Sequence, residues 1–189
     1  MKNKKLVLLI SIIILSLVAV GCGGGKTKNE VLTPEQAAVM EGDPLKNLIT
    51  KEKEWLNQMD KVRDEIKNAY TDWEQGKITR EQFNERLNGP KEIVKGVFKD
   101  YDLHMEVNPF PEELKRQELY KDGLVNGKEL RKFVNNFIFM AQDGIMDAET
   151  KTIKYLTDEQ VKDVYQNFMV EKYDEYKQKL ETALEKEVK

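Results

Sequence analysis

From Leu45 to Trp73 one apolar stripe runs through the chain: Leu45, Leu48, Trp55, Met59, Val62, Ile66, Ala69 and Trp73. The intervals alternate between three and four residues, with Glu52 as the one polar interruption. That spacing sets all of these side chains on one face of an α-helix. Trp55 and Trp73 stand 18 residues apart, five turns at about 3.6 residues each, so both rings share the face. Ile49, Leu56 and Tyr70 widen the stripe beyond a two-stranded seam. Such a helix must be covered along its whole length, which predicts an all-α bundle.

The punctuation agrees. Thr33-Pro34-Glu35-Gln36 reads as a helix start running to about Glu41, and Gly42-Asp43-Pro44 stops it and opens the long helix. Gly76 ends that helix, and Thr79-Arg80-Glu81-Gln82 caps the next, which carries Phe83 and Leu87. Asn88-Gly89-Pro90 breaks the chain before a face of Ile93, Val94, Val97, Phe98 and Tyr101. Asn108-Pro109-Phe110-Pro111 reads as a loop, with a short polar helix after Pro111 to about Tyr120.

The most apolar segment is "KELRKFVNNFIFMAQ", where Leu130, Phe133, Val134, Phe137, Ile138 and Ala141 keep helical spacing and Phe139 and Met140 add to it. It is expected to be the central buried helix, capped by Asn126 and Glu129. Ile153 and Tyr155 alternate as in a strand, but no partner strand is evident, so 150–156 is expected to be a turn or short helix. Thr157-Asp158-Glu159-Gln160 caps the last long helix, whose face uses Val161, Tyr165, Phe168, Met169, Tyr176, Leu180 and Ala183, with Tyr173 at the edge. This stripe drifts as in a left-handed supercoil. The two long helices are expected to lie against each other.

The N-terminus reads differently. Met-Lys-Asn-Lys-Lys precedes the apolar run Leu6 to Val20, broken only by Ser11 and Ser16. A positive start, an apolar stretch and a small residue before a cut site make a secretory signal. The run is short of the roughly 20 apolar residues that a membrane span needs. Ala19-Val20-Gly21-Cys22 resembles the lipobox of bacterial lipoproteins, with Ala19 where leucine is commoner. The resemblance implies a diacylglycerol thioether on Cys22 and cleavage after Gly21. Two acyl chains anchor stably, at about 0.8 kcal/mol per buried methylene. Gly23-Gly24-Gly25-Lys26-Thr27-Lys28-Asn29-Glu30 has no apolar residue and reads as a flexible tether. The expected organisation is a signal peptide over 1–21, a lipidated tether over 22–32 and one helical domain over 33–189. The expected location is the extracytoplasmic face of a cell membrane, in an envelope of Gram-positive type.

Without Lys2, Lys4 and Lys5 of the leader, 28 basic side chains face 34 acidic ones, a net of about −6. An acidic body argues against nucleic acid, whose binding rests on basic patches. Cys22 is the only cysteine, so with lipid on it the body has neither a disulfide nor a thiol nucleophile. No serine occurs after Ser16, and no glycine-rich phosphate loop is present. His104 is the only histidine, and a metal site needs several convergent ligands. It is expected to be a partly exposed helix-end residue.

Three stretches, "EQGKITREQF", "KDGLVNGKEL" and "QDGIMDAETK", share a glycine, a nearby apolar residue and a later polar side chain. The middle one resembles the second half of an EF-hand loop through Asp122, Gly123, Val125 and Glu129. Glu118 and Tyr120 stand where the loop's first ligands belong, so all three read as helix stops followed by new caps. "EQGKITREQF" also resembles the helical hairpin of SHOCT-type modules, which implies helix–turn–helix and no activity.

These features predict no enzyme, cofactor or metal site. They predict a helical interaction module for another envelope protein. The alternative is a small-ligand or peptide binder with a groove lined by Trp55, Trp73, Tyr165, Tyr173 and Tyr176. A carboxylate-dependent hydrolase is the third reading.

Overall fold

A computed structural model describes residues 43–107 and 123–186. The leader, Cys22, the tether, the start at Thr33 and the loop and helix expected over 108–120 lie outside the described residues. The elements in order are α1 (Pro44–Glu74), α2 (Arg80–Arg86), α3 (Asn88–Val107), α4 (Val125–Asp143), β1 (Ile145–Met146), β2 (Ile153–Lys154), α5 (Asp158–Tyr165), a π-helical segment (Gln166–Lys172) and α6 (Tyr173–Lys186). The fold is an all-α bundle with one small β-ribbon. Among the described residues no helix is long and apolar enough to cross a membrane.

The start signals act as their chemistry dictates. Asp43 accepts from the Leu45 and Lys46 N–H groups, with Pro44 in the first turn of α1. Thr79 with Gln82 and Thr157 with Gln160 each form a reciprocal capping box. Gly76 takes a φ of 69° just past α1, as a left-handed helix stop requires.

α4 is the central helix. It packs on α1, α3, α5, the π segment and α6, and buries Leu130, Val134, Phe137, Ile138 and Ala141. Phe133 is half-buried against Phe168 and Tyr176, and Phe139 faces outward. The two long helical stretches meet antiparallel through long side chains. Tyr165 stacks on Tyr70 at 3.6 Å between ring centroids, and further along Tyr173 donates to Asp60 at 3.0 Å. Burial, with the Glu74 carboxylate beside it, pushes the Tyr70 hydroxyl up to about 12.

Four expectations need correction. First, Asn126 and Glu129 do not cap α4. A π-type turn at Gly123 and Leu124 leads straight into it, Asn126 is buried inside its first turn, and Glu129 pairs with Lys132 at 2.7 Å. Residues 125–129 are therefore helix, and the stop expected at Gly123 is absent.

Second, 150–156 is neither turn nor helix throughout. Ile153–Lys154 pairs antiparallel with Ile145–Met146, in the register Ile145 with Lys154 and Met146 with Ile153. The partner strand is two residues long and directly follows α4, so it shows no alternation of its own. Gly144 makes the join possible at a φ of 80°, where a Cβ would lie 2.7 Å from the Lys154 carbonyl oxygen.

Third, the last long helix is not one regular α-helix, because Gln166–Lys172 within it is π-helical. The π segment inserts wide turns, and a carbonyl leaving the regular ladder needs another donor. Arg63 supplies one: its Nε donates to the Met169 carbonyl at 3.1 Å while Nη1 pairs with Asp174 at 2.7 Å.

Fourth, the same guanidinium lies over the Tyr173 ring at 4.5 Å, and Tyr173 is fully buried rather than at the edge.

Candidate functional site

The five aromatic residues expected to line a groove do not converge. Trp55 and Trp73 share the core face of α1 but sit about 27 Å apart along it, at about 1.5 Å per residue. Trp73 stacks on Phe83 at 5.1 Å, and Tyr165 sits between Tyr70 and Phe137. Tyr173 faces Asp60, and its hydroxyl is pushed far up by burial and by that carboxylate. Lys177 closes the group with 2.7 and 2.8 Å contacts to Asp60. Of the five, only Tyr176 is half-exposed, against Phe133. Trp73 and Tyr165 both pack on Tyr70, while Trp55 lies at the other end of α1.

What does converge is a polar cluster where the start of α1, the end of α3 and the start of α4 meet. Glu52 and Arg131 face each other with side-chain exposures of 0% and 2%. The guanidinium donates twice, Nη1 to Oε2 at 2.7 Å and Nη2 to Oε1 at 3.1 Å. This planar fork on a carboxylate is the geometry that suits arginine to buried pairs. The Arg131 Cζ lies 4.7 Å from the Tyr101 ring centroid and 5.1 Å from that of Trp55. The Trp55 indole N–H donates to Asp100 at 2.8 Å. Gly127 admits the pair, since a Cβ there would stand 2.6 Å from Glu52 Oε2.

His104 belongs to this cluster and is buried, where a partly exposed helix-end position was expected. It is 1% exposed, edge-on to Trp55 at 5.7 Å between centroids. Neither ring nitrogen has a hydrogen-bond partner among the described residues. Burial holds its basicity below the ordinary imidazole range, and the Lys51 ammonium adds to this against the weaker pull of Asp100.

The sign of the pH dependence follows. Above about pH 6.5 the ring is neutral folded and unfolded. Below that, the unfolded chain takes up a proton that the folded chain resists, so stability falls as pH drops toward the lowered folded value. Replacing His104 with Phe keeps a ring against Trp55 and removes the proton site. The melting-temperature advantage of His104→Phe over wild type should widen steadily from about pH 7.5 to 5. Parallel melting curves over that range would dissociate His104 from acid sensitivity.

Beside the cluster opens a cavity of about 200 Å³. Leu48, Tyr101, Met105, Leu124 and Val125 give it apolar walls, and Glu52, Lys128, Glu129 and Lys132 border it. Among the described residues Glu52 is the one fully buried carboxylate, and Arg131 takes both its oxygens. No group of three or more His, Cys, Asp or Glu side chains among the described residues is arranged to hold a metal ion.

A second feature lies on the outside. Met146, Ile153 and Tyr155 of the ribbon are 58%, 55% and 73% exposed. Met146 and Ile153 are a directly opposed pair, and Tyr155 directly follows the second strand. The connecting turn is tightly tied. The Asp147 carboxylate accepts from the Glu149 and Thr150 N–H groups, at 3.0 and 2.8 Å, from the Thr150 hydroxyl and from Lys154. The Lys154 ammonium and the Thr150 donors hold that carboxyl far below the usual carboxylate range.

Sequence reasoning passed over Arg131 and placed Glu52 only as an interruption. The signal was present, because each sits at helical spacing within an apolar stripe and the two carry opposite charge. No family model, no curated protein and no solved structure matches this chain.

Proposed function

We propose that this chain is a lipoprotein, held by diacylglycerol on Cys22 to the extracytoplasmic face of the cell membrane, whose helical body docks another envelope protein. The leader and the glycine-rich tether support the anchor. The observation that carries the docking reading is the exposed apolar face of Met146, Ile153 and Tyr155 on a ribbon pinned at Asp147. Large side chains grouped on a soluble surface mark contact sites. A surface already rigid loses little conformational freedom when it binds, which favours affinity. The separate burial of Trp55, Trp73, Tyr165 and Tyr173 favours this reading over a binder with an aromatic groove.

A photo-reactive amino acid placed at Tyr155 in living cells should trap one discrete protein adduct. The same probe at exposed Glu85 on α2 should trap none. Adding Ile153→Asp should abolish the Tyr155 adduct and leave the melting temperature within a degree or two of the probe-bearing parent. Equal trapping at both positions, or none at Tyr155 and Met146, would refute docking through the ribbon.

A further inference from the structure

We infer that the partner docks as an added β-strand. The outer edge of β2 takes an extended segment of the partner protein, with an apolar residue beside Ile153 and an acidic residue near Lys151. The inference rests on the docking reading and adds the chemistry of the docked segment. Antiparallel partners alternate between pairs that exchange backbone hydrogen bonds and pairs that do not. The Asp147 N–H donates to the Thr152 carbonyl at 2.8 Å, which fixes the phase of the ribbon. One step along, Met146 and Ile153 are therefore the pair that exchanges none. The Ile153 N–H and C=O point away from β1, and among the described residues no backbone hydrogen bond outside the ladder involves them. One residue of an incoming antiparallel strand satisfies both groups at once, by exchanging two bonds with Ile153.

The side chains leave this edge open. Proteins ordinarily guard a free edge with a proline, a bulge or a charge. Residues 151–155 are all exposed and include no proline. The charge next to Ile153, on Lys154, is drawn back onto Asp147 across the turn. What remains at the open position is the isoleucine, opposed by exposed Met146 on β1. An apolar side chain there gives an incoming strand a cross-strand contact as well as backbone bonds. Charge selects among such strands. Lys151 is exposed and makes no ion pair with a described residue, so a segment carrying an acidic side chain complements this edge.

The yield of the Tyr155 photo-adduct in living cells tests it. Ile153→Pro removes the outward N–H, which the ribbon itself does not use, so the fold should tolerate it as an edge strand does. The adduct yield should fall about tenfold or more. Ile153→Ala trims the side chain and keeps the N–H, and should lower the yield less than about threefold. Replacing Ile153 by its α-hydroxy acid keeps the side chain and swaps the N–H for an ester oxygen. That should lower the yield about fivefold or more, which gives a result even if Ile153→Pro fails to fold. Lys151→Glu should lower it about threefold or more. Equal yields from Ile153→Pro and Ile153→Ala would overturn strand addition, and so would full yield from the ester or from Lys151→Glu, while the adduct itself would still support docking through the ribbon. An adduct between two copies of this chain would overturn the proposal too. No adduct in the parent would refute the docking reading and strand addition with it.

Discussion

Arg131→Met is expected to destabilise the body by about 3–5 kcal/mol, because it leaves the Glu52 carboxylate buried without its partner. Glu52 is 0% exposed and both its oxygens depend on that guanidinium. Domains have only about 5–15 kcal/mol in total, so the variant should be largely unfolded at modest denaturant concentrations. Glu52→Leu alone should be comparably harmful, since it strands the cation between Trp55 and Tyr101. The double variant Glu52→Leu/Arg131→Met should recover most of the loss, because apolar replacement of a whole buried pair is often neutral or stabilising by about 1–4 kcal/mol. Urea melts of the four proteins measure this. Single variants within about 0.5 kcal/mol of wild type would mean that the pair is open to water.

Phe137→Ala should be as costly, at about 3–5 kcal/mol, through lost transfer energy and the cavity left behind. Phe137 is fully buried on α4 and packs edge-on to Tyr165 at 5.7 Å, where the ends of α1 and α5 meet. Tyr155→Ala, at a residue 73% exposed, should change stability by less than about 0.5 kcal/mol. Thermal melts of both variants decide it. If they melted alike, near wild type, α4 would not be the helix on which the others pack.

Helix extents were legible wherever local chemistry sets them. Asp43, Thr79 and Thr157 cap as their side chains dictate, and the stripe from Leu45 to Trp73 is the buried face of α1, with Glu52 included. His104 was legible in principle, because it continues the spacing of Val94, Val97 and Tyr101 along α3. A lone polar residue at such a site is ambiguous until the facing helices are known. Arg131 and Glu52 could be paired only by knowing that α4 crosses α1 at Gly127. The ribbon eluded the pattern because a ladder of two residues per strand carries too little alternation, and its register is set by Gly144 and the Asp147 turn. The π segment depends on a donor from α1, Arg63, which no periodicity within 158–186 encodes. The aromatic residues meet a related limit: rings on one helix face share a direction but sit at different heights, as Trp55 and Trp73 do along α1.

The intact mass of the protein extracted from cell membranes tests most directly whether a lipid on Cys22 holds this body outside the cell. The expected mature chain begins at Cys22 and carries the added mass of a diacylglyceryl thioether, while Cys22→Ala remains uncleaved and unlipidated. A mature N-terminus elsewhere, or Cys22 without acyl mass, would contradict the anchor and the location that rests on it.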